Sequence, residues 1–87
     1  MSSGNEWRQL VSRLVKSEMT VRGVKYQTLS ARLEEIGVSQ TADNLRNKVN
    51  KGIMGADLLL QILSVLNARP ISSDSLADIL TDIREAD

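Results

Sequence analysis

The chain has 87 residues, enough for one hydrophobic core, and its lack of cysteine and histidine removes disulfide bonds, thiolate metal sites and the commonest general base. Its formal net charge is zero, but residues 1–55 carry nine basic against five acidic side chains (+4) and residues 56–87 carry two against six (−4), so a polyanion would be attracted to the first part. No apolar run approaches the roughly 20 residues that span a bilayer, and no signal-peptide pattern opens the chain. We therefore predict one cytoplasmic, non-enzymatic domain over residues 1–87, with no metal, no cofactor and no membrane contact.

Apolar residues recur at spacings of three and four, which predicts an all-α fold, a compact five-helix bundle. The first helix is expected to begin after Ser3, because Ser3 and Glu6 have the spacing of a capping box. Gly23 is expected to end this helix by accepting a left-handed backbone. The predicted buried stripe, with the tryptophan as a core anchor, consists of Trp7, Leu10, Val11, Leu14, Val15 and Met19.

The second helix is expected to bury Leu29, Leu33 and Ile36 and to end at Gly37. Its N-terminus offers free backbone N–H groups and partial positive charge, which favour an anion, and basic residues precede it. Lysines of the next helix could hold the other strand of a duplex. For each single residue a solvated surface is the alternative, since charged side chains cover most helices. The predicted phosphate contacts are Arg22, Lys25, Tyr26, Gln27, Thr28, Lys48 and Lys51.

The third helix is short and polar, covers residues 44–51 after a cap at Thr41, and ends at Gly52. Leu45 and Val49 lie four residues apart, so both are predicted to face the core. The opposite side then presents amides and an arginine fork, the groups that read adenine and guanine edges in the major groove. A solvated polar face near a helix end is the alternative. The predicted base contacts are Asn44, Arg46, Asn47 and Asn50.

The fourth helix, residues 56–66, is apolar on most of its surface, which indicates that neighbours surround it or a partner covers it. Pro70 breaks the chain, and Ser72 or Ser73 can cap a fifth helix at about 73–85. The apolar face of this last helix either covers the fourth helix within one chain or pairs with a second copy. We favour a homodimer. The predicted dimer interface consists of Leu76, Ile79, Leu80 and Ile83.

Residues 26–66 contain LSARLEEIGVS, NLRNKVNKG and LLLQILSVLN, and this region resembles the lambda-repressor-like helix-turn-helix family. Members of that family show a Leu-Ala-x-x-Leu helix, a Gly-Val-Ser turn, a recognition helix ending in glycine, and a leucine-rich fourth helix. The NLRNK stretch is also similar to a group of small, uncharacterised bacterial domains of this type. The chain departs from the family in carrying Ser30 where alanine is usual, in an extended turn before Leu45, and in the four-residue spacing of Leu45 and Val49.

The resemblance implies a sequence-specific double-stranded DNA-binding transcriptional repressor, acting as a homodimer on a palindromic operator of plasmid, phage or chromosomal origin. Two recognition helices would then lie about one DNA turn apart, roughly 34 Å. The alternative is a helical protein–protein interaction module that keeps the bundle without DNA binding. Salt dependence separates the two, because only phosphate contacts release counterions.

Overall fold

A computed structural model describes residues 3–68 and 72–86, with residues 3–5 described by their backbone only. Within these residues the chain forms five α-helices and no strand, so the predicted all-α five-helix fold is confirmed. The molecule measures 38 × 23 × 21 Å along its principal axes. The helices are α1 (Ser3–Arg22), α2 (Tyr26–Glu35), α3 (Ala42–Lys51), α4 (Ala56–Val65) and α5 (Ser73–Ala86).

The main hydrophobic core lies where α1, α2, α3 and α4 meet. Each helix contributes leucine, isoleucine, valine or methionine side chains spaced three or four residues apart, so that one face of every helix is removed from water. Leu45 and Val49 are fully buried, which confirms the predicted orientation of α3. The buried members are Val15, Met19, Val24, Leu29, Leu33, Leu45, Val49, Leu58, Ile62 and Leu66.

The ends of α3 and the start of α5 follow the predicted local signals, whereas α1 begins at Ser3 itself and not after it. The Thr41 hydroxyl accepts a hydrogen bond from the backbone N–H of Asn44 at 3.1 Å, so Thr41 caps α3, which begins at Ala42. Gly52 ends α3 with a φ of +64°, in the left-handed region. At the start of α5 the cap is Ser72, whose hydroxyl accepts from the N–H of Ser75 at 3.1 Å. The predicted break at Pro70 and the Ser3 hydroxyl lie outside the described part of the chain.

The last helix packs on the first and, among the described residues, on no other helix. Leu10 of α1 forms a separate small core with Leu80 and Ile83 of α5. Nε of Arg84 donates to Oε2 of Glu6 at 2.6 Å, so Glu6 binds α5. Of the two alternatives for the last helix, the one in which it covers the fourth helix is therefore wrong. The N-terminal half of the 20-residue α1 contributes no buried side chain to the main core, and α5 covers the side of that half around Leu10.

Two apolar side chains expected in the core, Trp7 and Ile36, are exposed, and so is Leu60 of the largely apolar fourth helix. Trp7 is 49% exposed because α5 covers the side of α1 centred on Leu10 and leaves the indole at the margin. Ile36 is 53% exposed because α2 ends at Glu35, and the chain turns away before another helical step could place Ile36 beside Leu33. Leu60 of α4 is 65% exposed. None of the helices among the described residues has the length and apolar character that crossing a membrane requires.

Candidate nucleic-acid interface

The exposed side of α3 is set by its two buried side chains. Because Leu45 and Val49 point into the core, the residues about half a turn away point to solvent, and Arg46, Asn47 and Asn50 are all exposed. Asn44, in the first turn, is exposed as well. The structure therefore brings the four predicted base contacts to one accessible helix surface. The amides can both donate and accept hydrogen bonds, and the guanidinium can donate two in parallel.

The guanidinium of Arg46 has two partners that hold its direction. Nη1 donates to Oδ1 of Asp43 at 2.7 Å, and the guanidinium carbon lies 5.3 Å from the centre of the Tyr26 ring. An exposed ion pair and an exposed cation–π contact are each worth about 1 kcal/mol or less, so they orient the fork more than they stabilise the fold. The arginine side chain remains 50% exposed. Its remaining N–H groups are thus presented outward in a restricted set of directions.

Tyr26 lies at the first position of α2 and connects that helix to α3 through Arg46. Burial raises the pKa of the Tyr26 phenol above its ordinary value of 10.0, and the positive charge of Arg46 opposes this to a smaller extent. The phenol is therefore neutral at physiological pH and retains its O–H donor, which suits a phosphate oxygen.

Gln40 braces the long connection between α2 and α3. Its carbonyl oxygen accepts a hydrogen bond from the Ser30 hydroxyl at 2.5 Å, and its side-chain oxygen accepts one from Nζ of Lys48 at 3.3 Å. One residue of the connection is thus tied to both helices. The serine that departs from the family pattern has a direct structural role here, because alanine could not donate this bond. Lys48, a predicted phosphate contact, is half-buried and engaged in the brace.

Arg22, another predicted phosphate contact, is directed elsewhere. Its guanidinium pairs with the Glu18 carboxylate one turn earlier and donates to the Asn67 carbonyl oxygen at 3.2 Å, beyond the end of α4. Neither groove described below includes Arg22 in its lining. The structure therefore separates Arg22 from the tyrosine and amides at the start of α2. Thr28, also predicted, is exposed but lines neither groove.

A first open groove, the Tyr26 groove, lies between α1, the start of α2 and α3 and has a volume of about 520 Å³. It brings together the predicted residues Lys25, Tyr26, Gln27 and Arg46. It also includes residues of α1 that the sequence analysis did not select, among them a third cation. The full lining is Lys16, Met19, Thr20, Val24, Lys25, Tyr26, Gln27 and Arg46.

A second open groove, the Arg8 groove, lies between α1 and the end of α3 and has a volume of about 410 Å³. Asn50 and Lys51 of α3 border it, so it adjoins the exposed side of the helix that carries the predicted base contacts. Lys16 lines both grooves. No lining residue of either groove is acidic. The Arg8 groove is lined by Arg8, Gln9, Ser12, Arg13, Lys16, Asn50, Lys51 and Ile53.

The α1 cations Arg8, Arg13 and Lys16 were missed by the sequence analysis. One signal was present: Gln9, Arg13, Lys16 and Thr20 are spaced by four, three and four, which places them along one stripe of a helix. The sequence alone does not show that this polar stripe borders α3, since that depends on how the two helices pack.

Comparison with known protein families assigns the chain to one of them. A family model described as a domain of unknown function (DUF6471) matches residues 7–71, and the chain belongs to this family. The matched range includes most of α1 and all of α2, α3 and α4, whereas α5 lies beyond it. No match was found among curated proteins or among solved structures. The resemblance to lambda-repressor-like proteins stays a prediction.

Proposed function

We propose that this chain is a cytoplasmic, sequence-specific double-stranded DNA-binding protein that acts as a transcriptional repressor. One observation carries the proposal: α3 is anchored by two fully buried side chains and presents an arginine and amides to solvent beside two grooves lined by cations. A helix of 10 residues is about 15 Å long, and the major groove, about 12 Å wide, admits an α-helix.

In this proposal α2, the connection over residues 36–41 and α3 act as a helix-turn-helix, with α3 in the major groove. The predicted base contacts Asn44, Arg46, Asn47 and Asn50 read base edges. The start of α2 approaches the phosphates with its free N–H groups and its partial positive charge. Of the predicted phosphate contacts, Lys25, Gln27, Thr28 and Lys51 are exposed, and Tyr26 is half-buried in the Tyr26 groove.

We further propose a homodimer on a palindromic operator, since two-fold symmetry would give each half-site one copy of α3. Leu80 and Ile83 of the predicted interface are buried against α1 within one chain. Leu76 and Ile79 are half-buried and are the members of that set with area left to cover. An interface through α5 would therefore be centred on Leu76 and Ile79.

A protein-interaction module is the second candidate function. The exposed side chains of Leu60 and Ile36 are the observation behind it, because large apolar groups bind other proteins where several of them form one contiguous patch. A partner bound through these groups would be held by apolar burial, which depends little on salt.

Selection of bound duplexes from a random pool tests the proposal, followed by affinity measurements on the selected duplex at several salt concentrations. We expect one enriched sequence with inverted-repeat symmetry. We also expect affinity to fall by about a thousandfold or more between about 50 and 200 mM salt if a dimer makes six to ten phosphate contacts. A pool that shows no enrichment and no duplex binding at low salt would favour the interaction module.

A further inference from the structure

We propose that the Arg8 groove binds the phosphodiester backbone of the duplex, so that α1 is a DNA-contacting element alongside α2 and α3. This inference rests on the proposed function and extends it to residues outside the helix-turn-helix. The ligand chemistry is a run of phosphate groups, held by guanidinium and ammonium groups from two different helices.

The charge of the Arg8 groove is the first argument. Four of its eight lining residues are cations, Arg8, Arg13, Lys16 and Lys51, and all four are exposed. Among the described residues the salt bridges are made by Arg22, Arg46 and Arg84, and none by these four. Like charges gathered in one concave surface repel each other, and a polyanion removes that repulsion. The groove therefore favours an anion without any rearrangement of ion pairs.

The position of the groove is the second argument. Asn50 and Lys51 form its α3 side, and Asn50 also belongs to the exposed surface proposed to read bases. A helix inserted in the major groove has sugar-phosphate backbone on both sides, so an element that flanks its exposed side faces phosphates. In this fold the neighbour on that side is α1. Gln9, which also lines the groove and is half-buried, adds a neutral donor suited to phosphate oxygens.

The test compares two variants that each lose two positive charges. The first is Arg8→Gln with Arg13→Gln, which leaves Lys16 in place because it also lines the Tyr26 groove. The control is Arg32→Gln with Arg84→Gln, whose guanidinium groups bind the Val65 carbonyl and the Glu6 carboxylate, away from both grooves. Circular dichroism first establishes that both variants are helical. The probe is a mixed-sequence duplex of about 20 base pairs, roughly two turns.

Affinity is measured by fluorescence anisotropy at several salt concentrations. The groove variant is expected to lower the slope of log affinity against log salt by about 1.8, since each lost phosphate contact removes about 0.9. The control variant is expected to retain the wild-type slope. Equal slopes for the two variants would overturn the inference and leave the proposed function standing, whereas a wild-type chain that binds no duplex would remove the proposed function itself.

A second measurement keeps the inference testable if one variant fails to fold. Backbone amide signals of Gln9 and Ser12 in the wild-type chain are followed by nuclear magnetic resonance while the duplex is added, and then while inorganic phosphate is added. Shifts with the duplex at concentrations where phosphate has no effect support a backbone-binding groove. Equal shifts with inorganic phosphate would show that the Arg8 groove binds a small anion. The absence of any shift with the duplex would show that the duplex does not contact the groove. Either result overturns the inference.

Discussion

Gly52 lies directly against the backbone of Arg8, so that a β-carbon at position 52 would overlap the Arg8 carbonyl group. The contact joins the end of α3 to the N-terminal half of α1, which are far apart in sequence. It also brings Lys51 and Arg8 to the same groove. Two features therefore require glycine at position 52: the left-handed backbone conformation and the close approach of α3 to α1.

Alanine substitutions at Gly52 and Gly23 separate these two requirements. Both glycines have φ near +65°, but a β-carbon at Gly23 would have no neighbour within 4 Å. We expect Gly23→Ala to lower the free energy of unfolding by about 1 to 2 kcal/mol, from backbone strain alone. Gly52→Ala should lower the free energy of unfolding by about 3 kcal/mol or more. The new β-carbon would overlap the backbone of Arg8, and no side-chain rotation can remove that overlap. Urea unfolding measures the free energy of unfolding of both variants. Equal losses in the two variants would contradict the close approach of Gly52 to Arg8.

The brace at Gln40 predicts a loss of stability when Ser30 is replaced by alanine, the residue usual at this place in lambda-repressor-like proteins. Ser30→Ala removes the hydroxyl that donates to the Gln40 carbonyl, whereas Ser64→Ala changes an exposed serine of α4. Both variants gain helix propensity, so their difference isolates the hydrogen bond. We expect Ser30→Ala to be less stable than Ser64→Ala by about 1 kcal/mol in thermal or urea unfolding. If the two variants have the same stability, the brace does not hold the connection.

The buried side of α3 and its C-terminal end are predictable from the sequence because their signals are local. The capping threonine, the final glycine and the spacing of Leu45 and Val49 all act within about three turns of one helix. They define which side of α3 is buried without reference to the rest of the chain. The orientation of the proposed reading surface was therefore predictable from residues 41–52 alone.

The errors arose where the result depends on distant parts of the chain. Periodicity marked Trp7 as apolar and on the inner stripe of α1, but α5 covers only the neighbouring part of that helix. The α1 cations share the groove with α3 because of the close approach at Gly52, which no local pattern encodes. The packing of α5 on α1 is likewise not predictable from the sequence, since apolar faces of similar helices do not specify their partner.

The phenol of Tyr26 should titrate above its ordinary pKa of 10.0 in the folded chain. It is the one tyrosine of the sequence, so absorbance near 295 nm follows this group alone. Because Arg46 lowers the pKa, Arg46→Gln should raise it further. Since the folded pKa is raised, the associated stability is present below pH 10 and is lost as pH rises through the folded value. A pKa that stays the same or falls in the Arg46 variant would show that the charge of Arg46 does not lower the pKa of the phenol.

The oligomeric state distinguishes two exposed apolar surfaces. Leu76 lies half-buried on α5 and Leu60 is exposed on α4. If the proposed homodimer forms through α5, Leu76→Lys should shift sedimentation equilibrium toward monomer, because a buried lysine in an interface must be desolvated without a partner. Leu60→Lys should leave the dimer intact. A dimer that is lost with Leu60→Lys and kept with Leu76→Lys would move the interface to α4.

The most direct measurement of the central claim is the affinity of single variants for a selected duplex and for a scrambled one. Asn47→Ala should cost about 1 to 3 kcal/mol of discrimination at one base pair, because a bidentate amide contact is lost. Lys51→Ala should lower the affinity for both duplexes by the same factor. Gln61→Ala on α4 should leave the affinity for both duplexes unchanged. The contradicting result requires a wild-type chain that prefers the selected duplex. If the Asn47→Ala variant then shows the same affinity and the same preference, the exposed side of α3 does not read DNA.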